Sequence, residues 1–396
     1  MSYSTTIKTT TRFILGALAL TTATHICAAD LVILTNSKAK GMRILAENYQ
    51  KQTGKAIQIE TSDDAAGKFS QAFGKGADVL CWPNDRIGEF AQQGWIVPVA
   101  PSKRILEETD YWAWPPVTFQ GRTWAYPLAL ESIGLIYNKQ LVKKVPRDFD
   151  EVMALDKTLR SQGKHAILWA YNNSYFSWPI WAGQVNGVFP KHSPTNIDTK
   201  NPNLNAPAVI RGAEFLTHMV KEGYLPQTVD PSKLEEAMTK GNVAMIISGP
   251  WSWSKLRQAK IDFGVAPLPD FEGKPARPFA AVLGCMLTTS GKNNPIAIDF
   301  LENHVLTLPG LRTINEAESI GTPANKAFFK ELESNELIKA TMVNVKFGEP
   351  MPNIPEMSAF WKHSITALEN ITSGKKGAKE ALDEAAANVA AASESK

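Results

Sequence analysis

The six residues after the apolar run Ala77–Leu80 bring together an indole, a carboxylate and a guanidinium. They read CWPNDR and place Trp82, Asp85 and Arg86 within five positions. A pyranose has C–H-rich faces that stack on aromatic rings, and an edge of hydroxyls that donate and accept hydrogen bonds. Hydrogen bonds to charged partners are the stronger ones, worth roughly 1.5–3 kcal/mol against 0.5–1.5 kcal/mol for neutral ones. Together the three side chains could hold a sugar by its face and its edge.

An ordinary structural role accounts for the same stretch. Asp85 could cap a helix over NDRIGEFAQQG, while Arg86 forms a surface ion pair, as many such residues do. Taken alone, the six residues favour this structural interpretation. The sugar hypothesis therefore depends on the rest of the chain.

Aromatic residues supply further candidates. The chain has 11 tryptophans, all between Trp82 and Trp361. Core packing takes most aromatic side chains, and we expect it for Trp112, Trp114, Trp124, Trp178 and Trp181. Aromatic residues next to turns, caps or charged groups are better candidates for stacking on a sugar: Trp82, Tyr175, Phe176, Trp251, Trp253 and Trp361.

The first third of the chain predicts the elements that would position these residues. Strand patterns occur in LVILT, AIQIETS and ADVLCW, and helical patterns in MRILAENYQKQTG and DDAAGKFSQAFGKG. This alternation predicts a parallel βαβαβ unit. Ligands of such sheets lie beyond the carboxyl ends of the strands, where Asn36, Trp82 and Asp85 fall.

A second α/β alternation begins after two strands that meet near Glu131. Helices are expected from about Asp148 and Ser174, with the strand HAILWA between them and later strands in VAMIISGP and AAVLGCML. The remainder, from SAFWKHS to the Ala-rich end, is helical. Without a long polar linker, this pattern predicts two α/β lobes with a ligand cleft between them.

The amino terminus predicts export. Lys8 and Arg12 precede the apolar run FILGALALTTA, and small residues precede a cleavage site after Ala29, so residues 1–29 form a secretory signal peptide. We expect a periplasmic mature chain of 367 residues (396 minus 29), whose formal charge falls from +3 to +1. A nearly neutral chain has no electrostatic attraction to nucleic acid.

The two mature cysteines, Cys81 and Cys285, each lie in an apolar strand-like run, where a thiol usually serves as a small core residue. An oxidising compartment permits a disulfide between them. We nevertheless expect two free thiols.

Enzyme signatures are absent from the sequence. It has no Gly-rich phosphate loop, no G-x-S-x-G, no H-E-x-x-H, and neither histidines nor cysteines at metal-ligand spacing. We expect no cofactor and no metal. One enzymatic alternative stays open: a secreted glycoside hydrolase with Asp85 and Glu131 as its carboxylate pair. Nothing in the sequence gives either carboxylate an apolar pocket that would raise its pKa.

Read together, these segments resemble the maltose/maltodextrin-binding family of periplasmic proteins, which are solute-binding components of ABC importers. The resemblance covers essentially the whole mature chain, through WPNDR, GEFAQQG, AYPLALES, LIYNK, SYFSWP, AMIISGPWSWS and, most specifically, GEPMPNIPEMSAFW.

The resemblance implies a type II periplasmic-binding fold, with two α/β lobes and a hinge of three chain crossings. The crossings would fall near residues 130–134, 279–284 and 331–336. The N-terminal lobe would then comprise residues 30–130 plus 284–330, and the C-terminal lobe residues 131–283 plus 331–396.

The family binds linear maltodextrins in this cleft and closes its lobes around them, without catalysis. The positions that match the family's sugar contacts are Asn36, Trp82, Asp85, Arg86, Glu131, Tyr175, Phe176, Trp251, Met351 and Trp361. Trp251, Tyr175 and Trp361 would stack on the sugar, and Asp85, Arg86 and Glu131 would bind its hydroxyls. The partners implied are a maltodextrin or related α-glucoside, an inner-membrane ABC permease and a chemoreceptor, with the protein itself a monomer.

The sequence departs from the family pattern at several charged positions. An Asp-Lys pair after the first strand is replaced by SKAKG, so that Lys38 or Lys40 takes the place of the lysine and the aspartate is lost. A cleft glutamate gives way to Ala66 and Gly67, a Glu-Pro pair becomes Asn173-Ser174, and Lys362 and Ile365 replace a tyrosine and an arginine. Asn173 and Lys362 can still bind hydroxyls. The ligand could therefore be another α-glucoside, or an unrelated solute with the aromatic residues in the core.

Overall fold

A computed structural model describes residue 1 and residues 29–193 and 196–394, so the predicted signal peptide lies almost wholly outside the described residues. The strands are β1 Leu31–Thr35, β2 Ile57–Thr61, β3 Val79–Pro83, β4 Ile96–Val97, β5 Thr118–Phe119, β6 Arg122–Thr123, β7 Tyr126–Glu131, β8 Gly134–Asn138, β9 His165–Leu168, β10 Lys191–Ser193, β11 Asn196–Ile197, β12 Val243–Ser248, β13 Phe263–Ala266, β14 Phe279–Thr288, β15 Thr322–Pro323 and β16 Glu349–Pro350. The helices are α1 Ala39–Thr53, α2 Ala65–Gln71, α3 Ile87–Gln92, α4 Lys103–Glu108, α5 Phe149–Arg160, α6 Ser174–Trp181, α7 Pro207–Lys221, α8 Leu234–Thr239, α9 Trp253–Gln258, α10 Pro295–Phe300, α11 Leu308–Ala317, α12 Lys326–Leu332, α13 Glu336–Phe347, α14 Glu356–Thr372 and α15 Ala378–Glu394.

The larger sheet, called the main sheet below, has the strand order β15-β7-β14-β3-β1-β2, with β4 and β16 also paired to β14. Strands β1, β2 and β3 are parallel, which confirms the predicted βαβαβ unit. Strand β14 runs antiparallel to both β3 and β7. The carboxyl ends of β1, β2, β3 and β7 therefore share one edge of the main sheet.

Local sequence signals fix the first two helices. Helix α1 ends at Gly54, whose φ of 75° is left-handed and suits a residue without a β-carbon. Helix α2 begins after Asp64, whose side chain accepts a hydrogen bond from the backbone N–H of Gly67. This is an ordinary N-cap, since it satisfies one of the free N–H groups of the first turn.

The second sheet has the order β13-β8-β12-β9, with β8 antiparallel to its two neighbours and β12 parallel to β9. The predicted second alternation is confirmed: α5 begins after the capping residue Asp148, and α6 begins at Ser174. Helices α6, α7, α14 and α15 pack together on one side of this sheet, around a core that includes Trp169, Trp178 and Phe360.

Three connections pass between the two sheets. Strand β7 of the main sheet leads into β8 of the second sheet, and the chain returns to the main sheet at Phe279, the first residue of β14. The third connection joins α12, which packs against β15, to α13, which packs against β13. These positions correspond to the three predicted crossings, while the lobe boundaries stay a prediction.

The cysteine prediction is wrong. Cys81 and Cys285 form a disulfide, because they lie directly opposite each other in the antiparallel pair β3–β14. The bond joins two neighbouring strands of the main sheet inside its core, across 204 positions of sequence. Each sulfur atom is buried as expected, but it is bonded to the other sulfur instead of being a free thiol.

Among the described residues, no helix is both long and apolar enough to cross a membrane.

Candidate functional site

The carboxyl edges of the two sheets meet at the segment Glu131–Gly134. Glu131 ends β7 at the edge of the main sheet, and Gly134 begins β8 opposite Ser248, the last residue of β12. The loops that follow the parallel strands of both sheets therefore converge. They carry Asn36 after β1, Asp85 after β3, Tyr175 after β9 and Trp251 after β12. This convergence is the candidate functional site.

Asp85 lies at the centre of the contacts that bridge this site. Its Oδ1 accepts a hydrogen bond from Nε1 of Trp82 at 3.1 Å, and its Oδ2 accepts one from Nε1 of Trp361 at 2.9 Å. Trp361 belongs to α14, which packs with the helices of the second sheet. The helix-cap interpretation of Asp85 is wrong: the short 3₁₀ turn Asn84–Arg86 has no side-chain cap, and both carboxylate oxygens face indoles.

Burial changes the acidity of this carboxyl group. The side chain of Asp85 is 94% buried, and desolvation raises its pKa from 3.8 to about 6. The nearby charge of Arg86 and the two indole hydrogen bonds act in the opposite direction and limit the rise. The expectation that no apolar pocket surrounds this carboxylate is therefore wrong, because Asp85 occupies one built from its own indole partners.

Glu131 is held by a buried lysine. Nζ of Lys38 lies 3.2 Å from Oε1 of Glu131, and it donates its hydrogen bond to the backbone carbonyl of Ser319 at 2.8 Å. Both side chains are at most 6% exposed. Lys38 also adopts a left-handed backbone with φ of 63°, a strained conformation for a residue with a β-carbon. Of the two lysines in SKAKG, only Lys38 reaches the site, since Lys40 is exposed.

Four aromatic rings form a continuous group beside these carboxylates. Tyr175 has its ring centroid 6.5 Å from that of Trp251 and 6.2 Å from that of Trp361. The fourth ring, Phe279, was not among the predicted site residues, yet it stacks on Tyr175 at 6.1 Å and 16° and lies 5.4 Å from Trp361. Its position at a predicted hinge crossing was the only sequence signal for it. Phe176 extends the group through an edge contact with Tyr175.

Both carboxylates affect the acidity of the Tyr175 hydroxyl. Desolvation raises its pKa, and the negative charges of Glu131 and Asp85 raise it further. Tyr175 therefore stays neutral and can donate its hydrogen. The predicted aromatic and acidic residues are thus brought together in one place.

The other predicted site residues have more local partners. Arg86 donates from Nε to Glu89 at 2.5 Å and from Nη2 to the hydroxyl of Ser70 at 2.9 Å. Its guanidinium therefore binds residues of α3 and α2. Asn173 caps α6 by accepting from the N–H of Tyr175.

Met351 is buried beside β14, and its carbonyl accepts a hydrogen bond from Asn84. Asn36 contributes a buried Oδ1 atom without a hydrogen-bond partner among the described residues. Such an atom is a natural acceptor for a ligand hydroxyl.

The replaced positions divide between core and surface. Ala66 is fully buried and packs with Phe69, whereas Lys362 is exposed on α14. The core assignment is confirmed for Trp124, Trp178 and Trp181, and Trp112 and Trp114 pack against the main-sheet core. Trp253 was a candidate for stacking but is only 1% exposed and belongs to the core of the second sheet. Within the described ranges, no group of three acidic, His or Cys side chains could hold a metal ion.

Residues 35–303, about two thirds of the chain, match a single protein family. The chain belongs to the bacterial extracellular solute-binding proteins. Members of this family have the type II periplasmic-binding fold, in agreement with the predicted fold class.

Individual relatives in this family carry sugar-binding names. A galactooligosaccharide-binding protein of Bacillus subtilis is 27% identical over 374 residues, covering 90% of this chain and 88% of its own. A maltodextrin-binding protein of the same organism is 28% identical over 79% of this chain and 76% of its own. A maltooligosaccharide ABC transporter solute-binding lipoprotein of Streptococcus pneumoniae is 27% identical over 86% and 83%.

Proposed function

We propose that this solute-binding protein captures a malto-oligosaccharide or a related α-glucoside outside the inner membrane and delivers it to an ABC permease. The relatives support an oligosaccharide as the class of ligand, since those named above bind oligosaccharides of glucose or galactose type by name. The residues proposed to hold the sugar are those named from the sequence, with Phe279 added to the aromatic group.

One observation carries the proposal: an aromatic group and two buried carboxylates converge where the edges of both sheets meet. The rings of Tyr175, Trp251 and Trp361 offer stacking surfaces for the C–H faces of a pyranose. Asp85 and Glu131 offer acceptors for its hydroxyls. Tyr175 and Asn36 add a donor and an acceptor beside them.

The proposed mechanism is closure about the three crossings. A sugar that contacts Asp85 on the main sheet and Trp251 on the second sheet makes both sets of contacts only when the two halves are together. It therefore shifts the population toward the closed form, which the permease recognises. We propose that the chain acts in the periplasm as a monomer after cleavage near Ala29, and that a chemoreceptor can also read the closed form. The family and its relatives are named for binding rather than catalysis, and we propose no enzymatic activity.

Isothermal titration calorimetry of the mature protein tests this function. We expect micromolar binding of maltotriose, with maltose and trehalose as the next ligands and a galactooligosaccharide as the comparison. Binding of only the galactooligosaccharide would keep the transport role and move the specificity away from glucosides. If none of these sugars produces heat, the proposal of an oligosaccharide ligand is wrong.

A glycoside hydrolase is the competing function, and the raised pKa of Asp85 is the observation that favours it. Against it, both oxygens of Asp85 already accept indole hydrogen bonds, and Glu131 is paired with Lys38. The test is release of the aglycone from a chromogenic maltoside. We expect none, whereas release that disappears in Glu131→Gln would establish the hydrolase.

An unrelated solute is the other alternative. In that case alanine at Trp251 or Trp361 would lower the free energy of unfolding without changing the affinity for the true ligand.

A further inference from the structure

A cavity is lined in part by Ser319, whose backbone carbonyl accepts the hydrogen bond from Lys38. It has a volume of about 330 Å³, within the range of small-molecule sites. Its lining comes from α9, the end of α11 with the turn that follows it, and the connection from α12 to α13: Trp253, Arg257, Asn315, Ser319, Leu332, Asn335 and Ile338. Arg257 and Asn335 are exposed while Trp253 and Ile338 are buried, so the cavity runs inward from the surface.

The polar side chains of this cavity present donors. Oδ1 of Asn315 accepts from the N–H of Ile320 at 3.1 Å, and Oδ1 of Asn335 accepts from the N–H of Leu337 at 2.9 Å. A backbone N–H can only donate, so the side-chain atom that it contacts in each asparagine must be the amide oxygen. The Nδ2 group of each asparagine is then left to donate elsewhere. Among the described residues, neither Nδ2 group donates a hydrogen bond.

Arg257 adds a positive charge without a counter-ion in the described part of the chain. Its guanidinium carbon lies 5.9 Å from the centroid of the Trp253 ring, and partial desolvation lowers its pKa. The seven lining residues include no carboxylate. Acidic side chains close by in sequence have partners of their own: Glu331 with Arg312, Glu333 with Lys330, and Glu336 with Lys339.

The lining residues come from both halves of the molecule. Trp253 and Ile338 belong to a core of the second sheet, whereas Asn315 lies on α11, which packs against α1 beside the main sheet. Leu332 touches cores of both sheets. A molecule bound here would therefore contact both sides of the third crossing.

We propose that this cavity is a binding site for a small oxyanion, held by the guanidinium of Arg257 and the amide nitrogens of Asn315 and Asn335. Phosphate, sulfate and carboxylates share the required chemistry, which is a compact negative charge with several acceptor oxygens. Arginine suits such ligands because its planar fork can donate two parallel hydrogen bonds.

Calorimetric titration of inorganic phosphate into the sugar-free mature protein tests the site directly. A second titration with acetate tests whether the site takes a carboxylate. We expect saturable binding of one anion per chain. Arg257→Gln should weaken it at least about tenfold. Asn315→Asp is the sharper variant: it keeps an acceptor for the N–H of Ile320 but replaces the donor with a negative charge, and we expect it to abolish binding.

Lys255→Gln is the matched control. It removes one positive charge from the same helix, at a residue that pairs with Glu235 and does not line the cavity. Equal loss of binding in Lys255→Gln and Arg257→Gln would reduce the effect to general charge and overturn the proposal. The absence of saturable heat with both phosphate and acetate would overturn it as well.

Coupling to the main site rests on the proposed sugar-binding function and is tested separately. Ser319 lines the cavity, and its carbonyl holds Lys38, which is paired with Glu131. We expect saturating phosphate to change the maltotriose dissociation constant relative to potassium chloride of equal ionic strength, and Asn315→Asp to abolish that change. Phosphate binding without sugar binding would count against the sugar proposal alone. If bound phosphate does not change the maltotriose dissociation constant, the two sites are not coupled.

Discussion

At the scale of single residues, Asp85 is a buried carboxylate whose partners are two indoles rather than a cation. Its nearest cationic neighbour in sequence, Arg86, donates to Glu89 and Ser70. The nearby charge of Arg86 and the two indole N–H groups stabilise the negative charge, but desolvation outweighs them and the pKa of Asp85 is raised. Ionisation of Asp85 is therefore less favourable in the folded protein than in the unfolded chain, so it lowers the free energy of unfolding.

This cost gives a pH dependence with a definite sign. The folded pKa of about 6 lies above the unfolded value of 3.8, so the favourable contribution is present below pH 3.8 and is lost as pH rises through 6. The full difference corresponds to about 3 kcal/mol. We expect the free energy of unfolding of the wild type, minus that of Asp85→Asn, to fall by most of this amount between pH 4 and pH 7. Urea titrations at four pH values measure it, and a difference independent of pH would contradict the assignment.

The Lys38–Glu131 pair predicts a different pattern. Removing one partner of a buried ion pair leaves an uncompensated charge, so Lys38→Met should lower the free energy of unfolding by about 3–5 kcal/mol. The double variant Lys38→Met with Glu131→Gln should lose less than the sum of the single changes. Chemical denaturation of all four proteins gives the coupling energy. Strict additivity would show that the two side chains do not interact.

The aromatic group predicts which tryptophans contact the sugar. Trp361→Ala should weaken maltotriose binding by about 1–3 kcal/mol, by analogy with the stacking of bases on aromatic side chains. Trp124→Phe is the control, because Trp124 is 7% exposed and packs in the core of the main sheet. The control should reduce stability and leave the dissociation constant unchanged. Calorimetry of both variants separates the two effects, and unchanged affinity in Trp361→Ala would remove that residue from the site.

At the scale of elements, the disulfide ties β3 to β14 next to the site. Strand β3 contains Trp82 and leads directly to Asp85, and β14 begins with Phe279. A bond between positions 204 residues apart closes a long loop in the unfolded chain. In the chain-entropy model, such a loop is worth about 5 kcal/mol.

The corresponding experiment compares the oxidised protein with the double variant Cys81→Ala and Cys285→Ala. We expect the variant to lose up to about 5 kcal/mol in free energy of unfolding and to be insensitive to reductant. The wild type should lose a similar amount when a thiol reductant is added. If reductant leaves the wild type unchanged while Ellman's reagent detects free thiols, the bond contributes nothing to stability.

Helices and strands could be predicted from the sequence because their signals are local. Contacts between positions far apart in the sequence could not be predicted. Gly54 and Asp64 mark helix ends by their own chemistry, and the strands of the βαβαβ unit follow from apolar runs. The indole of Trp361 reaches Asp85 across 276 positions, and Lys38 reaches Ser319 across 281. No periodicity in the sequence encodes these distances. The resemblance to a family placed the residues near one another, but it could not reveal that both carboxylate oxygens of Asp85 accept hydrogen bonds from indoles.

At the scale of the whole molecule, a side-chain hydrogen bond joins the two halves. The hydrogen bond from Trp361 to Asp85 joins α14, which packs with the helices of the second sheet, to the main sheet. We expect this hydrogen bond to favour the proposed closed arrangement. Each carboxylate oxygen of Asp85 accepts one indole hydrogen bond and keeps a second lone pair, so a sugar hydroxyl can bind beside the indoles without displacing them.

Trp361→Phe separates these contributions, because it keeps a ring for stacking and removes the indole N–H. We expect the sugar-free variant to open more, which raises its radius of gyration in small-angle X-ray scattering relative to the wild type. Saturating maltotriose should restore the compact value, since the sugar supplies the missing contacts between the halves. Trp124→Phe, with its indole in the main-sheet core, should scatter like the wild type in both states. Equal radii for sugar-free wild type and Trp361→Phe would show that this hydrogen bond does not hold the halves together, and closure would then depend on the ligand alone.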